Sequence, residues 1–426
     1  MNNHPCIFTE TEILLPDFNR VDPTRWAVVA CDQYTSEPAY WEEVERIVGD
    51  APSTLRLILP EVYLQETDTR VPQIHRAMEQ MLRSTLIAHP DSMIFLYRRQ
   101  SDGSYRSGII GAIDLECYDF HAGSDSLIRA TEGTVLERIP PRVAVRRDAP
   151  LELPHVMLLI DDPKKTVIEP TLITCRERWP LYNFDLMQGG GHVCAYLLEK
   201  FEIEKIKSAL DALITPEAIG ERYGDSTLAP LLFAVGDGNH SLATAKTAYE
   251  EIKAAIGEEA ARSHPARYAL VEVVNLHDTA LNFEPIYRVV FGVDPVAFTA
   301  ELEAALTGLR GSAEPQKILA IGLEWERELT IPHPTQQLAV GTLQSFLSDY
   351  TAHHPEVTVD YIHGEQSLRT LASRKDAVGF LFDGMRKDEL FRTVIYDGAL
   401  PRKTFSMGHA PDKRYYLECR RITQPE

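Results

Sequence analysis

The chain has 426 residues, of which 44% are hydrophobic and 25% charged, and its 63 acidic and 43 basic residues give a net charge of -20. This length exceeds what one hydrophobic core usually organises, so we expect two or three folded units, and the composition excludes a disordered chain. The acidic excess argues against nucleic acid and membranes as partners, but it leaves room for a small anionic ligand in a locally positive pocket.

Short apolar runs typical of strands alternate with helical periodicity over the first part of the chain. The predicted strands are residues 26–31, 93–97, 108–115, 156–160 and 231–235. The predicted helices are residues 71–88, 193–213 and 242–256. This alternation favours a mixed α/β fold in which helices pack on a sheet.

A break is expected near residues 257–265, where a charged helix ends before the apolar strand 268–276. We therefore expect an N-terminal mixed α/β unit over residues 1–262 and a second α/β unit over residues 263–426. The elements predicted in the last third are a helix at 295–309, strands at 318–323 and 377–382, and a basic closing segment at 401–422.

The strongest motif is the turn Val235–His240, with the sequence VGDGNH, between an apolar run and a good helix opening at Ser241. Glycines and the free N–H groups of a helix start let a phosphate or carboxylate approach closely. Asp237 is then a candidate ligand of Mg²⁺ or acceptor of a hydroxyl proton, and His240 a candidate phosphate donor or acid/base. The alternative is an ordinary strand-to-helix turn capped by Asp237 or Ser241.

A second glycine cluster, Gly189, Gly190 and Gly191, is followed by His192 and a run that resembles a helix from Val193 onward. Three glycines cost backbone entropy that a simple turn does not need. The glycines indicate either that a ligand or another backbone segment approaches closely, with His192 at the edge of the site, or that this segment is a flexible connection.

Isolated carboxylates form a further group of candidates, because sites of α/β proteins gather at strand ends. They are Asp32, Glu132, Asp161 and Asp162. Each has the simpler alternative of a helix cap or a surface carboxylate. Cys31 has no evident histidine partner and is expected to be a buried strand cysteine rather than a nucleophile.

Several large classes of site are absent from the sequence. It has no Walker GxxxxGK[ST], no GxGxxG after a strand, no HExxH and no GxSxG. The six cysteines are far apart, without zinc-like spacing, so we expect them to be reduced and the protein to be cytoplasmic. The longest apolar stretches are too short to span a bilayer.

The closing segment carries four basic candidates, which either neutralise a phosphate ligand or form a solvated basic face. They are Arg402, Lys403, Lys413 and Arg414.

The motifs together resemble the bacterial and archaeal domain-of-unknown-function family 1015, which is distantly similar to ParB/sulfiredoxin-like kinases of free serine. The segments that carry the resemblance are Val235–His240 (VGDGNH), Asn282–Arg288 (NFEPIYR), Val359–Gly364 (VDYIHG) and Leu400–Gly408 (LPRKTFSMG). The resemblance implies a ParB/sulfiredoxin-like strand-turn-helix core within a larger mixed-sheet protein.

It also implies that the motif turn holds nucleotide phosphates at a helix start, which nominates Gly236, Asp237, Gly238, Asn239 and His240. This chain departs from the family pattern Asp-Gly-His-His-Arg, because Asn239 and Ser241 replace a histidine and the arginine. In the family's Pro-x-His-Arg element, which is Pro285–Arg288 here, Tyr287 replaces the histidine and Arg288 is kept. Either Arg288 supplies the missing charge from another strand, or the site has lost nucleotide binding.

The resulting hypothesis is an ATP- or ADP-dependent phosphotransferase acting on a small hydroxylated metabolite such as serine. The motif turn, Ser241, Arg288 and Lys403 bind phosphates in this hypothesis, with Mg²⁺ on Asp237. Asp32 or Glu132 activates the substrate hydroxyl, and His240 stabilises the transferred charge. The competing hypothesis is a non-catalytic sensor or assembly protein that binds a nucleotide or a phosphometabolite.

Overall fold

The fold is described from a computed structural model, which describes residues 7–133 and 139–424. Within these residues the chain forms two compact units. Unit 1 contains residues 7–130, 139–281 and 409–424, and unit 2 contains residues 131–133 and 282–408.

The chain is a mixed α/β protein, as its sequence predicts. In chain order the strands are β1 (Phe8–Thr9), β2 (Thr11–Pro16), β3 (Val28–Val29), β4 (Leu86–Ser92), β5 (Ile94–Arg99), β6 (Tyr105–Asp114), β7 (Tyr118–Asp119), β8 (Ile128–Ala130), β9 (Leu151–Glu152), β10 (Met157–Ile160), β11 (Tyr182–Asp185), β12 (His192–Leu197), β13 (Phe233–Asp237), β14 (Tyr268–Asn275), β15 (Phe283–Phe291), β16 (Gln316–Gly322), β17 (Trp325–Ile331), β18 (Thr358–His363), β19 (Ala377–Leu381), β20 (Phe405–Met407), β21 (Tyr415–Tyr416) and β22 (Arg420–Arg421). The helices are α1 (Pro23–Trp26), α2 (Pro38–Val48), α3 (Thr67–Ser84), α4 (Ile139–Arg146), α5 (Glu169–Cys175), α6 (Lys200–Leu213), α7 (Pro216–Tyr223), α8 (Asn239–Ile256), α9 (Glu258–Ala261), α10 (Pro295–Gly308), α11 (Ala339–His353), α12 (Glu365–Ala372) and α13 (Lys387–Asp397).

Unit 1 is built on a mixed sheet with the strand order β11-β12-β5-β6-β14-β10-β13-β8-β7, in which β1 also pairs with β6. The central strand β14 is buried along almost its whole length, which fits a near-continuous apolar run in the middle of a covered sheet. It runs antiparallel to β6 and parallel to β10, and β10 runs antiparallel to β13. The register pairs Met157 with Asp237, so the start of β10 and the end of β13 lie at the same edge of the sheet.

The predicted strand, turn and helix around the motif are all present. Strand β13 ends at Asp237, Gly238 has φ +82°, and α8 begins at Asn239. A glycine suits this left-handed position because a side chain there is strained. Leu242, Ala245 and Tyr249 are buried in the same apolar core as the inner residues of the sheet, so packing fixes the direction of α8.

The closing segment of the chain belongs to unit 1. Strand β21 pairs with β3, and β22 pairs with β9, so residues 409–424 are part of this unit rather than of a C-terminal one. Residues 263–281, expected beyond the boundary at 262, also lie in unit 1, because β14 forms the middle of its sheet.

Unit 2 contains an antiparallel sheet with the order β17-β16-β19-β15-β18, and β20 pairs with the start of β15. Its core includes Val289, Ile362, Leu368 and Ala377, which pack together on one side of β15 and β19. The expected helix 295–309 and the strands 318–323 and 377–382 correspond to α10, β16 and β19.

Three segments differ from their predicted elements. The strand expected at 26–31 is reduced to the two residues of β3, and the helix expected at 71–88 ends at Ser84 before β4. The helix expected at 193–213 is divided into β12 and α6. Val193 and Ala195 are buried between β11 and β5, and the backbone N–H of Glu199 donates to Glu202, which fixes the start of α6 beyond the strand.

Candidate functional site

The motif turn carries an ion pair beside the start of α8. Asp237 Oδ1 accepts a hydrogen bond from the backbone N–H of Gly238 at 3.0 Å, and Asp237 Oδ2 lies 3.2 Å from Lys413 Nζ. Both side chains are 17% exposed. A cation on the closing segment is therefore held at the positive end of the α8 dipole, where an anion is favoured.

His155 lies next to this ion pair, on the turn before β10, and its side chain is only 3% exposed. Its Nδ1 is 2.7 Å from the hydroxyl of Tyr416. Its Nε2 is 3.4 Å from Asp32 Oδ2 and 3.4 Å from Ser241 Oγ. Together with their neighbours these residues form a motif cluster within unit 1, which consists of Asp32, His155, Asp237, Ser241, Lys413 and Tyr416.

The carboxylates of the motif cluster stabilise a charged imidazole. Burial lowers the pKa of His155, but the charge and hydrogen bond of Asp32 and the charge of Asp237 outweigh burial, so its pKa is raised. Burial likewise opposes ionisation of Asp32, yet His155 and Lys413 hold the pKa of this carboxyl below its ordinary value. A protonated His155 donates from both ring nitrogens, which leaves the Tyr416 hydroxyl free to donate to Cys31 Sγ at 3.1 Å.

The arrangement is not a Ser-His-Asp triad. In a triad the serine and the carboxylate contact different ring nitrogens, whereas Ser241 and Asp32 both lie against Nε2 of His155. A histidine charged by Asp32 has no free lone pair with which to take the proton of Ser241. The geometry therefore disfavours acyl transfer through Ser241.

Cys31 lies beside this cluster and accepts the hydrogen bond from Tyr416. Burial, with the negative charge of Asp32, raises the pKa of the Cys31 thiol to about 12. A thiol with this pKa is protonated at neutral pH and is a poor nucleophile. This environment fits the expected unreactive thiol. The expectation of a buried strand cysteine was wrong in its placement, because Cys31 follows β3 in a turn and is half-buried as a residue.

A cavity of about 140 Å³ opens next to the cluster. Cys31, His155, Ser241 and Tyr416 form part of its wall. The rest of the wall is mainly apolar and includes Leu57, Leu59, Met78, Leu153, Val156, Ala245 and Ala269. Part of the motif cluster, including His155 and Ser241, therefore borders a space that can hold a small molecule.

The structure brings together several of the residues nominated from sequence. Asp32 and Ser241 both contact His155, and Asp237 lies two residues before Asn239, at which α8 begins. Asn239 and His240 form the first turn of α8 and are half-buried. The backbone carbonyl of His240 accepts from Thr244 Oγ1 at 2.7 Å, as is usual within a helix.

Asp237 has Lys413 as its cationic partner, which bears on the expected Mg²⁺ ligand. Among residues 7–133 and 139–424, no group of three or more His, Cys, Asp or Glu side chains is arranged to hold a metal ion. The other carboxylate of the cluster, Asp32, pairs with His155. Asp237 is thus paired with a cation in this structure, and its binding of Mg²⁺ stays a prediction.

Backbone packing accounts for two of the three glycines at 189–191. They form the turn of the β11-β12 hairpin, where a Cβ on Gly190 would overlap the ring of Tyr415 and one on Gly191 would overlap the carbonyl oxygen of Arg99. His192 bridges the same hairpin, with Nδ1 2.7 Å from Asp185 and Nε2 2.6 Å from Asn183. These contacts account for Gly190, Gly191 and His192 by packing within the hairpin, and ligand binding at this glycine cluster stays a prediction.

Buried Arg98 links this hairpin to the segment that carries Lys413. Its guanidinium donates to the carbonyl oxygens of Gly190 at 2.9 Å, Pro411 at 2.6 Å and Lys413 at 2.6 Å. Arg98 thereby fixes the backbone from which Lys413 reaches Asp237. The hairpin has a positioning role for the motif cluster.

Glu132, Arg288 and Lys403 lie in unit 2, whereas all residues of the motif cluster lie in unit 1. Arg288 is fully buried and donates to Ile286, Arg402, Lys403 and Gln344 at 2.5 to 3.0 Å. Burial lowers the pKa of Arg288 to about 10. These bonds hold the 401–404 loop in place. They give Arg288 a structural role that does not depend on the expected binding of a phosphate. The backbone of Glu132 forms a β-bridge with Leu400.

Sequence reasoning did not identify His155 or Tyr416. No motif surrounds either residue, and the available signals were a histidine directly before a predicted strand and a basic, aromatic stretch near the end of the chain. Lys413 was noted only as one of four basic candidates. Its pairing with Asp237 joins positions 176 residues apart and follows from the tertiary fold.

Comparison with known proteins gives few informative matches. A search of curated proteins finds no significant match. Among solved structures, the chain is similar to a free serine kinase in complex with AMP (10% identity, TM-score 0.35, covering 73% of this chain and 90% of the kinase). It is also similar to a conserved hypothetical protein from Pyrococcus furiosus (10%, 0.34, 73% and 94%) and to C-terminally truncated SbnI from Staphylococcus aureus (11%, 0.33, 70% and 82%).

Two further findings concern the chain as a whole. In the part of the chain that the structure describes, none of the helices combines the length and apolar character needed to cross a membrane. The model of a protein family of unknown function, DUF1015, matches residues 16–384, which is most of the sequence. The chain therefore belongs to the DUF1015 family.

Proposed function

We propose that unit 1 binds the phosphates of ATP or ADP at the start of α8 and that the protein is a phosphotransferase acting on a small hydroxylated metabolite such as serine. The observation that carries the proposal is the Asp237–Lys413 ion pair at Gly238, where a cation and a helix N-terminus converge. Such a convergence favours a phosphate even in a chain of net charge -20.

The cluster supports a division of labour between its residues. Lys413 and the first-turn amides of α8 bind phosphate oxygens, and the positively charged His155 stabilises the charge that develops on the transferred group. Asp32, with its lowered pKa, stays ionised and orients the substrate hydroxyl. Phosphoryl transfer depends mainly on such positioning and electrostatic stabilisation, so a weakly basic carboxylate suffices. Mg²⁺ enters with the nucleotide in this proposal, and the protein holds no separate metal.

The test is incubation of purified protein with ATP or ADP, Mg²⁺ and a panel of hydroxy amino acids and hydroxy acids, followed by ³¹P NMR. The proposal expects a phosphorylated product from the wild type and a product yield at least about tenfold lower from Lys413→Met, because this variant lacks the cation that binds the phosphate. Lys164→Met removes an exposed lysine of the same unit, paired with Glu221 at 2.8 Å, and should leave the yield unchanged. A full yield from Lys413→Met would contradict the proposal.

A second candidate is a non-catalytic sensor of a nucleotide or phosphometabolite. It is favoured by the Asp237–Lys413 pair, which neutralises the carboxylate, and by the replacement of the family's histidine and arginine with Asn239 and Ser241. Saturable binding of ADP without any phosphorylated product would support the sensor over the enzyme.

A further inference from the structure

The cavity beside the motif cluster has a wall that selects for hydrocarbon. Its side chains are predominantly aliphatic, contributed by the 57–59 segment, α3, the 149–154 segment, α8 and β14. A polar molecule placed against this wall would lose its hydrogen bonds to water without replacement, which costs several kcal/mol for an unpaired polar group. Most of the bound molecule must therefore be apolar.

The charged side chains of the same wall, taken together with the ion-pair partners that lie outside it, carry an excess of positive charge. These partners are Arg420 and Asp32, which do not line the cavity. Glu152, which is 1% exposed, contacts Arg146 at 2.5 Å and Arg420 at 2.6 Å. Burial opposes ionisation of Glu152, but these two arginines hold its pKa below the ordinary value, so one carboxylate faces two cations. The other charged wall residues are balanced one to one, Arg142 by Glu61 and His155 by Asp32.

Size limits the ligand further. A dry cavity of about 150 Å³ holds a molecule of the size of benzene. The present volume of about 140 Å³ thus admits roughly six to eight non-hydrogen atoms.

We propose that this cavity binds a small aliphatic carboxylic acid, its hydrocarbon tail against the aliphatic wall and its carboxylate toward the positively charged part that includes Arg146. The identification of a substrate class rests on the proposed phosphotransferase function. With that function, the substrate class is a short aliphatic hydroxy acid. Its hydroxyl then lies toward Ser241 and His155. The substrate proposed above, a small hydroxylated metabolite such as serine, is thereby narrowed to hydroxy acids without an ammonium group. The ammonium group of serine would meet the excess positive charge, and serine has no hydrocarbon tail for the aliphatic wall.

Calorimetric titration without nucleotide tests the cavity independently of catalysis. The probes are isovalerate, its neutral amide isovaleramide, and serine, which share the same number of non-hydrogen atoms. The proposal expects isovalerate to bind at least roughly tenfold more tightly than isovaleramide or serine. Equal binding of acid and amide would overturn it, as would the absence of saturable binding of isovalerate.

Two variants of α8 locate the binding. Ala245→Leu fills the cavity and should abolish isovalerate binding, whereas Ala254→Leu adds the same group to an exposed position of the same helix and should not. If Ala245→Leu fails to fold, Arg146→Gln provides the second test, with an expected loss of the preference for acid over amide. Unchanged isovalerate binding in Ala245→Leu, or an unchanged preference in Arg146→Gln, would overturn the proposal.

The two proposals fail separately. ADP binding or phosphorylation without isovalerate binding contradicts the carboxylic acid site and leaves the phosphate site intact. Isovalerate binding without ADP binding contradicts the phosphate site alone.

Discussion

At the scale of single residues, the motif cluster is organised by a histidine that the sequence does not mark. His155 contacts Asp32, Ser241 and Tyr416, which come from three distant parts of the chain. Asp32 was nominated because it follows a predicted strand, and Asp237 because of its glycines. The histidine that joins them lacks any local pattern, since its role depends on long-range pairing of β3 with β21 and of β10 with β13.

The opposite pKa shifts of His155 and Asp32 predict a pH dependence of the free energy of unfolding. The pKa of His155 is raised in the fold, so its contribution is complete below its unfolded pKa of about 6.5 and is lost as the pH rises through the folded value. The pKa of Asp32 is lowered, so its contribution is present above about pH 3.9 and is lost as the pH falls through the folded value. The pair therefore stabilises unit 1 most between about pH 4 and 6.5.

Urea denaturation of the wild type and of His155→Gln at pH 6, 7 and 8 measures this effect. The free energy of unfolding of the wild type should decrease over this range, and the variant should be less stable at pH 6 but show a smaller decrease. Parallel pH profiles for the two proteins would be inconsistent with a charged His155.

Lys413 gives the second prediction at this scale. Replacement by methionine removes a charge-assisted contact to phosphate, worth about 1.5 to 3 kcal/mol, and should weaken ADP binding roughly 10- to 100-fold in a calorimetric titration. Lys164→Met is the matched control and should bind ADP like the wild type, because its ammonium lies with Glu221 on the surface. ADP binding of the same strength in Lys413→Met and the control would exclude Lys413 from the site.

At the scale of elements, the strongest prediction from sequence was the motif itself. The apolar run, two glycines and helix opening correspond to β13, Gly238 and α8. Here the local sequence is sufficient, because glycines between an apolar run and a helix opening are compatible with few structures other than a strand, a tight turn and a helix. It was insufficient for β12, where six residues of mixed character fit either a strand or a helix, and pairing with both β11 and β5 decides the outcome.

The β11-β12 hairpin provides a prediction with a built-in control. Gly189 and Gly191 both have positive φ, but a Cβ on Gly189 meets open space, whereas one on Gly191 overlaps the carbonyl of Arg99. Gly189→Ala should cost about 1 to 2 kcal/mol of stability from backbone strain alone. Gly191→Ala should cost at least about 3 kcal/mol, because the backbone must also move.

Chemical denaturation of the two variants measures the difference. Since Arg98 ties this hairpin to the backbone of Lys413, Gly191→Ala should also weaken ADP binding more than Gly189→Ala. Equal losses of stability in the two variants would show that the hairpin does not pack as described.

At the scale of the whole molecule, the closing segment determines how the chain is divided. A composition change near residue 262 indicated a boundary, but β14 pairs in the middle of the unit 1 sheet and residues 409–424 return to the same unit. Unit 1 contains residues on both sides of 282–408, and the amino-acid composition does not change visibly where the chain passes from one unit to the other. The overall α/β class is predictable from alternation, whereas this order of segments depends on pairing between distant strands.

The return of the chain predicts the effect of truncation. Ending the protein at Gly408 removes Lys413 and Tyr416 from the motif cluster and leaves buried Glu272 without Arg414, whose Nε lies 3.2 Å away. Glu272 keeps Arg106 at 3.1 Å, so most of the cost comes from the loss of β21 and β22 and of the buried side chains around them. A buried side chain such as Leu417 contributes about 1.5 to 3 kcal/mol, so losing several of them removes a large part of the stability of a typical domain. Denaturation followed by tryptophan fluorescence should show that unit 1, which contains Trp26 and Trp41, no longer unfolds cooperatively. A cooperative transition at the denaturant concentration of the full-length chain would contradict this assignment.

The central claim is that a phosphate group binds where α8 begins. The most direct test is a crystal structure of the protein grown with ADP. The account predicts density for phosphate oxygens within hydrogen-bonding distance of Lys413 Nζ and of the backbone amides that follow Asp237. Density for ADP at another location, with the Asp237–Lys413 pair and its surroundings unchanged, would contradict it.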